Sequence, residues 1–325
     1  MSNAKQAVPA VVVPVAQARR KFSLADMTSG KRAVPLRIFG FGGEKVGKSS
    51  WASGAPGAVF LGAENGTSHL DVRRLPVPET WDELFDVLAL SETDPTQTTI
   101  VIDPVNWLED LVFARVVGGP NARLTESTRD AIEKHGGGFM KGYDAAVSHW
   151  RTLLSTLEKR HYNQGRNVVF LAHAEVKKFK DPSGAEYERY VPALHHKAAG
   201  LIKQWVDDVL FFRHEVLAKV EGTKTIAVAT GDRIIHTEWS KAWDAGNRNA
   251  LPPELPMGWA DYWAAVQAGR DRVPALRSEI AQLLKDIGDE DVTKKAEPLV
   301  VEAKDNATRL EAIVNRLRIK KGEIT

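Results

Sequence analysis

Residues 36–50 read LRIFGFGGEKVGKSS. A nearly continuous apolar run enters a glycine loop, and small residues follow as the start of a helix. Runs of the same kind recur at 58–64 (AVFLGAE), 98–103 (TTIVID), 167–173 (NVVFLAH) and 207–214 (DDVLFFRH). They are short, β-branched or aromatic and hardly interrupted by polar residues, as suits strands buried on both faces. Amphipathic stretches at 79–91, 105–116 and 143–161 alternate with them. Strands that alternate with helices predict an α/β fold around a mainly parallel central sheet.

The loop itself carries chemistry. Gly42-x4-Gly47-Lys48-Ser49 fits the spacing G-x-x-x-x-G-K-[ST] between a strand and a helix. Its glycines let successive backbone N–H groups converge on phosphate with no Cβ in the way, and the new helix adds its positive end. Gly42, Gly43, Glu44, Lys45, Val46, Gly47, Lys48, Ser49 and Ser50 are therefore the expected binding residues for ATP. Lys48 is expected to reach the β- and γ-phosphates, and the Ser49 hydroxyl to ligate Mg2+. Asp103 ends the run TTIVID, where a carboxylate can hold the same Mg2+; the alternative is a turn or cap aspartate.

A base for an attacking water must be sought elsewhere, because the residue after Asp103 is Pro104. Glu64 is the first candidate. It ends the run after the phosphate-loop helix and precedes the turn signal Asn65-Gly66, on the sheet edge where ligands gather. Glu109 is the second, within a helix after Asp103.

Other stretches leave alternatives open. Residues 174–197 place Lys177, Lys178 and Lys180 around Phe179, with Tyr187, Arg189 and Tyr190 following. Basic groups can track phosphates while rings stack on unpaired bases. The same residues also suit a β-hairpin around Asp181-Pro-Ser-Gly184. Residues 215–230 read as a hairpin with a Gly-containing turn. Residues 117–142 are glycine-rich, a connection or a second nucleic-acid loop. Residues 1–34 form a Pro/Ala/Val arm. Seven Lys/Arg against one acid in residues 1–37 make it a candidate nucleic-acid contact or a solvated tail. The core is expected over 35–268. A helical module is expected over 269–325, whose twelve Lys/Arg and eleven Asp/Glu are nearly balanced.

Composition excludes several classes. The chain has no cysteine, so disulfides, thiol catalysis and Cys-ligated zinc are out. No apolar run approaches the ~18–20 residues that span a bilayer, and the proline-broken VPAVVVPVA makes a poor signal peptide. No membrane contact is expected, and the cytoplasm is the expected compartment.

With Glu44 at its third position, GGEKVGKSS resembles the phosphate loop of RecA-like ATPases. Glu64 and the run ending HAEVK (173–177) fit that pattern too. Within the superfamily the chain most resembles phage-encoded RecA-like nucleotide-binding proteins of the single-strand annealing and recombination group, over residues 35–265. The resemblance implies a RecA-like P-loop NTPase core and a catalytic role for Glu64. It implies that His173 senses the γ-phosphate, against the alternative of a structural histidine, and that the segment after it contacts single-stranded DNA. It further implies self-association into a filament or ring. Phe22 and Ala25 would form an F-x-x-A interface motif, and Arg248 would reach a neighbour's γ-phosphate; a surface arginine is the alternative. A single-strand-binding protein is a further candidate partner of the host-cell cytoplasm. The implied function is annealing or strand exchange driven by ATP. A nucleotide-switched assembly protein with negligible hydrolysis and a helicase or packaging motor are the alternatives.

Overall fold

The computed structural model describes residues 23–27, 34–62, 67–184, 186–221, 224–303 and 307–323. The chain divides into two units, residues 1–34 and 35–325. In the first, Leu24–Asp26 form a single 3-10 turn, closed by the Ser23 N–H donating to the Asp26 carboxylate at 2.8 Å. Phe22 lies outside the described residues, and of Ala25 only the backbone is described.

The second unit opens with β1 (Arg37–Gly42), α1 (Lys48–Ser53), β2 (Ala58–Leu61), β3 (Arg73–Arg74), α2 (Trp81–Glu92) and β4 (Thr99–Ile102). It continues with α3 (Val105–Gly118), α4 (Thr128–Lys134), α5 (Lys141–Arg160), β5 (Asn167–Lys180), β6 (Glu186–Pro192) and α6 (His196–Trp205). β7 (Asp208–Glu221), β8 (Lys224–His236), β9 (Gly246–Asn247) and β10 (Glu254–Pro256) follow. The helices α7 (Trp259–Ile287), α8 (Glu290–Ala303) and α9 (Ala307–Lys321) come last.

The sheet runs β10-β8-β7-β1-β5-β4-β2-β3. From β7 to β3 every neighbour is parallel; β8 and β10 extend one edge antiparallel, and β6 and β9 pair antiparallel with β5 and β7. This is an α/β fold with a mixed but largely parallel sheet.

Burial explains the continuous apolar runs. Phe39, Phe41, Ile100, Ile102, Phe170 and Phe211 face one core under α2, α3, α5 and α6. Their chain neighbours Ile38, Val101, Val169, Leu171 and Phe212 face a second core under α1 and the start of α7. Alternate side chains thus leave water on opposite faces, at about 1.5–3 kcal/mol for each large one buried. The α5 stripe Ala146, Trp150, Leu153, Leu154 and Leu157 follows helical spacing onto the first core. The short helix α6 escaped the sequence pattern because it buries only Ala198, Ala199 and Ile202.

α7 passes unbroken through residues 268 and 269, where the sequence pattern put a boundary. Its first turns pack Trp259, Tyr262 and Val266 on the sheet. Its later turns form a third core with α9, where Val273, Leu276 and Ile280 meet Leu310, Ile313 and Leu317. Asp208, fully buried, fastens the first turns of α7 to the start of β7. It accepts the Tyr262 hydroxyl at 2.6 Å and the Asn249 amide at 2.8 and 2.9 Å. Burial pushes its carboxyl up to about 6. Among the described residues no helix is long and apolar enough to cross a membrane.

Candidate nucleotide site

The loop between β1 and α1 bends through two left-handed residues, Lys45 (φ 57°) and Gly47 (φ 102°). Such turns aim neighbouring N–H groups into one concavity, and Gly47 supplies the second without a Cβ penalty. The Val46 side chain is turned inward, which leaves its backbone N–H to meet a ligand. It is 1% exposed and packs into the second core, pinning the loop from below. The Trp51 ring holds α1 in place, 5.1 Å from Phe212 and 4.8 Å from Trp259. Trp259 is thereby a packing residue, as a large buried ring usually is.

Above the loop lies a cavity of about 630 Å³, within the usual size of a small-molecule site. Glu44, Lys45, Gly47, Lys48, Ser49 and Ser50 line it from the loop, and Asp103 and His173 from the sheet edge. The Lys48 ammonium is folded onto the carbonyls of Gly42 (3.1 Å) and Gly43 (2.8 Å). The Ser49 hydroxyl donates to Asp103 Oδ2 at 2.5 Å. A hydroxyl and a carboxylate side by side are hard oxygen donors of the kind Mg2+ takes.

Topology delivers these groups. β5 lies between β1 and β4, and its register sets His173 opposite Gly42. His173 therefore stands between the phosphate loop and Asp103. Its position is fixed from behind. The His173 N–H donates to Asn106 Oδ1 at 2.9 Å, and Asn106 Nδ2 donates to the Ala193 carbonyl at 2.5 Å.

Glu64 lies outside the described residues. Glu109, the second candidate base, is turned inward. It is 2% exposed and accepts the His195 N–H at 2.9 Å. Burial pushes its carboxyl up to about 7. A buried acid with a raised pKa favours the folded state at low pH. Its contribution is full below the ordinary carboxylate range and is lost as pH climbs through about 7. Glu109→Gln keeps the acceptor and removes the titration. Urea unfolding should show the variant gaining stability relative to the parent between pH 5 and pH 8. A difference that stays constant with pH would contradict this.

Residues 174–197 take the hairpin alternative. β5 continues past His173 and turns at Asp181, whose carboxylate accepts the Ser183 N–H at 2.8 Å. β6 then returns with Lys178 opposite Glu188 and Lys180 opposite Glu186. Opposite charges at those positions favour the pairing. Phe179 stacks on Tyr187 at 6.0 Å, and Lys177 pairs with Glu175 at 2.8 Å. Arg189 departs furthest from its expected DNA contact. It is 9% exposed, donates to the carbonyls of Lys241 and Ser240, and lies over the rings of Phe179, Tyr187 and Trp239. Its guanidinium ties the hairpin to residues 239–244. Lys178 and Lys180 remain exposed.

Arg248 is also elsewhere in this chain. It sits beside the start of β7 with Asp207 at 3.4 Å, at the sheet edge opposite the phosphate loop. Two residues that sequence reasoning missed do line the cavity, His69 from the turn after β2 and Arg233 from β8. No local motif marks either one.

A family model described as an AAA domain matches residues 34–249. Among solved structures the chain is similar to that of the RadB recombinase, with 13% identity and a TM-score of 0.34, over 62% of this chain and 80% of that one. No curated protein matches.

Proposed function

The chain belongs to the AAA domain family of P-loop NTPases, and from that membership, which implies ATP binding and hydrolysis in general, we propose a RecA-like ATPase that acts on single-stranded DNA, promoting annealing or strand exchange in phage recombination. One observation carries the proposal. Lys48, Ser49, Asp103 and His173 meet at one cavity, and His173 is the residue from which an exposed hairpin departs.

In this proposal Lys48 leaves its two loop carbonyls for the phosphates, and the backbone of residues 43–49 holds them. Ser49 and Asp103 would hold Mg2+. Magnesium, when bound, neutralises phosphate charge. Glu64 orients the attacking water. His173 passes the state of the terminal phosphate to β5 and β6. Phe22, Ala25 and Arg248 are assigned to contacts between copies of the chain in a filament or ring.

A second reading has its own support. With Arg189 turned inward, residues 174–192 carry Lys177, Lys178 and Lys180 against Glu175, Asp181, Glu186 and Glu188. A surface of mixed charge suits protein contact as well as DNA, which favours a nucleotide-switched assembly protein with little hydrolysis.

ATP cleavage with and without single-stranded DNA separates the two. The first reading expects cleavage that DNA stimulates. It also expects Lys178→Ala with Lys180→Ala to weaken single-strand binding and to shallow its salt dependence by one to two ions, roughly one for each phosphate that the variant no longer neutralises. Cleavage indifferent to DNA, with unaltered binding by the double variant, would exclude the hairpin as the DNA contact.

A further inference from the structure

We propose that Arg233 is a cis-acting cation for the terminal phosphates of a nucleoside triphosphate bound in this cavity. The proposal rests on the nucleotide site described above and adds to it a residue from β8, two strands away from β1.

Arg233 lines the cavity with the phosphate loop. Its Nη1 lies 2.7 Å from the place a Cβ would occupy on Gly47, so the guanidinium rests against the left-handed glycine that precedes Lys48. Any side chain at position 47 would displace it. Among the described residues the Arg233 guanidinium has no hydrogen-bond or ion-pair partner. Two other arginines differ: Arg189 is spent on carbonyls and rings, and Arg248, at the opposite end of the sheet, lies beside Asp207. An arginine side chain carries about 2 kcal/mol of rotamer entropy. Held at a cavity wall without a protein anion, it is matched to an anion that enters the cavity.

The backbone explains its aim. β8 pairs with β7 at His214↔Arg233 and again at Val216↔Ala229, so three residues of β8 oppose one of β7. The left-handed Gly231 lies within this bulge. Bulges bend a strand and re-aim its side chains. Arg233 is the first residue of β8 beyond the bulge, and the Met257 N–H, donating to its carbonyl at 3.1 Å, fastens it to the sheet. The same arginine is thus the base of the β7–β8 hairpin and a wall of the phosphate cavity. Lys45, Lys48 and Arg233 face Glu44 and Asp103 there. Without Arg233 the fixed charges of the wall cancel. With it they leave one positive charge to match the extra phosphate that separates a triphosphate from a diphosphate.

The test is equilibrium binding of fluorescent N-methylanthraniloyl ATPγS and ADP, each with Mg2+, to the full chain and to Arg233→Ala, Arg233→Lys and Lys48→Ala. Arg233→Ala is expected to weaken the triphosphate analogue about tenfold, the size of one charge-assisted hydrogen bond. ADP affinity should move by less than about twofold, and Arg233→Lys should recover part of the loss. Lys48→Ala should weaken both nucleotides. If the parent binds and Arg233→Ala binds the triphosphate as well as the parent does, Arg233 has no such role. Equal losses for both nucleotides would overturn the terminal-phosphate assignment. A parent chain that binds neither nucleotide overturns the site itself, and the inference with it.

Discussion

Lys48→Ala is expected to lower ATP turnover by about 10²- to 10³-fold, the usual loss when one preorganised charge-stabilising group is removed from a reacting centre. Lys48 is 6% exposed, and its ammonium already spans two carbonyls of the loop it serves. Phosphate oxygens arriving in the loop take over those bonds with a full opposing charge. Truncation leaves the carbonyls of Gly42 and Gly43 facing a cavity that water enters, so the fold should lose little. Phosphate release under saturating ATP measures the first effect and thermal unfolding the second. Retention of more than a tenth of parental turnover would remove Lys48 from the role assigned to it.

Gly62→Ala should be the most damaging small substitution near the site. An added Cβ would lie 1.7 Å from the Asp103 carbonyl oxygen and 2.7 Å from its carbon. Neither backbone can yield easily, since the Asp103 N–H donates to the Leu61 carbonyl at 3.0 Å. Forced separation of β2 from Asp103 should cost about 3 kcal/mol or more, at the upper end of overpacking effects. Urea unfolding would read that loss directly. Activity should fall as well, because Asp103 would be carried away from Ser49. Gly43→Ala is the control. A Cβ there meets nothing within 4 Å, so stability should change by less than about 0.5 kcal/mol. Similar losses for both glycines would show that the close approach at Gly62 is not the cause.

The glycine turn between β1 and α1 and the meeting of Ser49 with Asp103 were legible because each belongs to a local pattern. The strands were legible because sheets covered on both faces demand uninterrupted apolar runs, as in TTIVID and NVVFLAH. Arg233 and His69 were not. They reach the cavity only because β8 returns antiparallel beside β7 and because the chain turns back after β2, and neither fact is written near those residues. The place of Arg248 in the fold was not legible for the same reason. Its segment is adjacent in sequence to β8, but β9 pairs at the start of β7, at the far edge of the sheet. Arg189 misled differently. A basic residue between aromatics looks like a nucleic-acid contact, and here the rings and carbonyls of the chain itself surround it. Composition does not distinguish a guanidinium offered to a partner from one consumed at home.

β5 carries both His173 and the hairpin on one uninterrupted strand, and that continuity has a mechanical meaning. From His173 to Lys180 the strand advances about 23 Å at some 3.3 Å per residue. It is stiffened along that length by its pairing with β6. If His173 follows the occupant of the cavity as proposed, such a strand would act as a lever pivoting where it leaves β1. A tilt of about 5° at His173, much less than one rotamer change, would sweep the tip through about 2 Å. The gain is set by strand length, so deleting one residue pair from each arm would shorten the stroke by a fixed fraction while leaving the fulcrum intact.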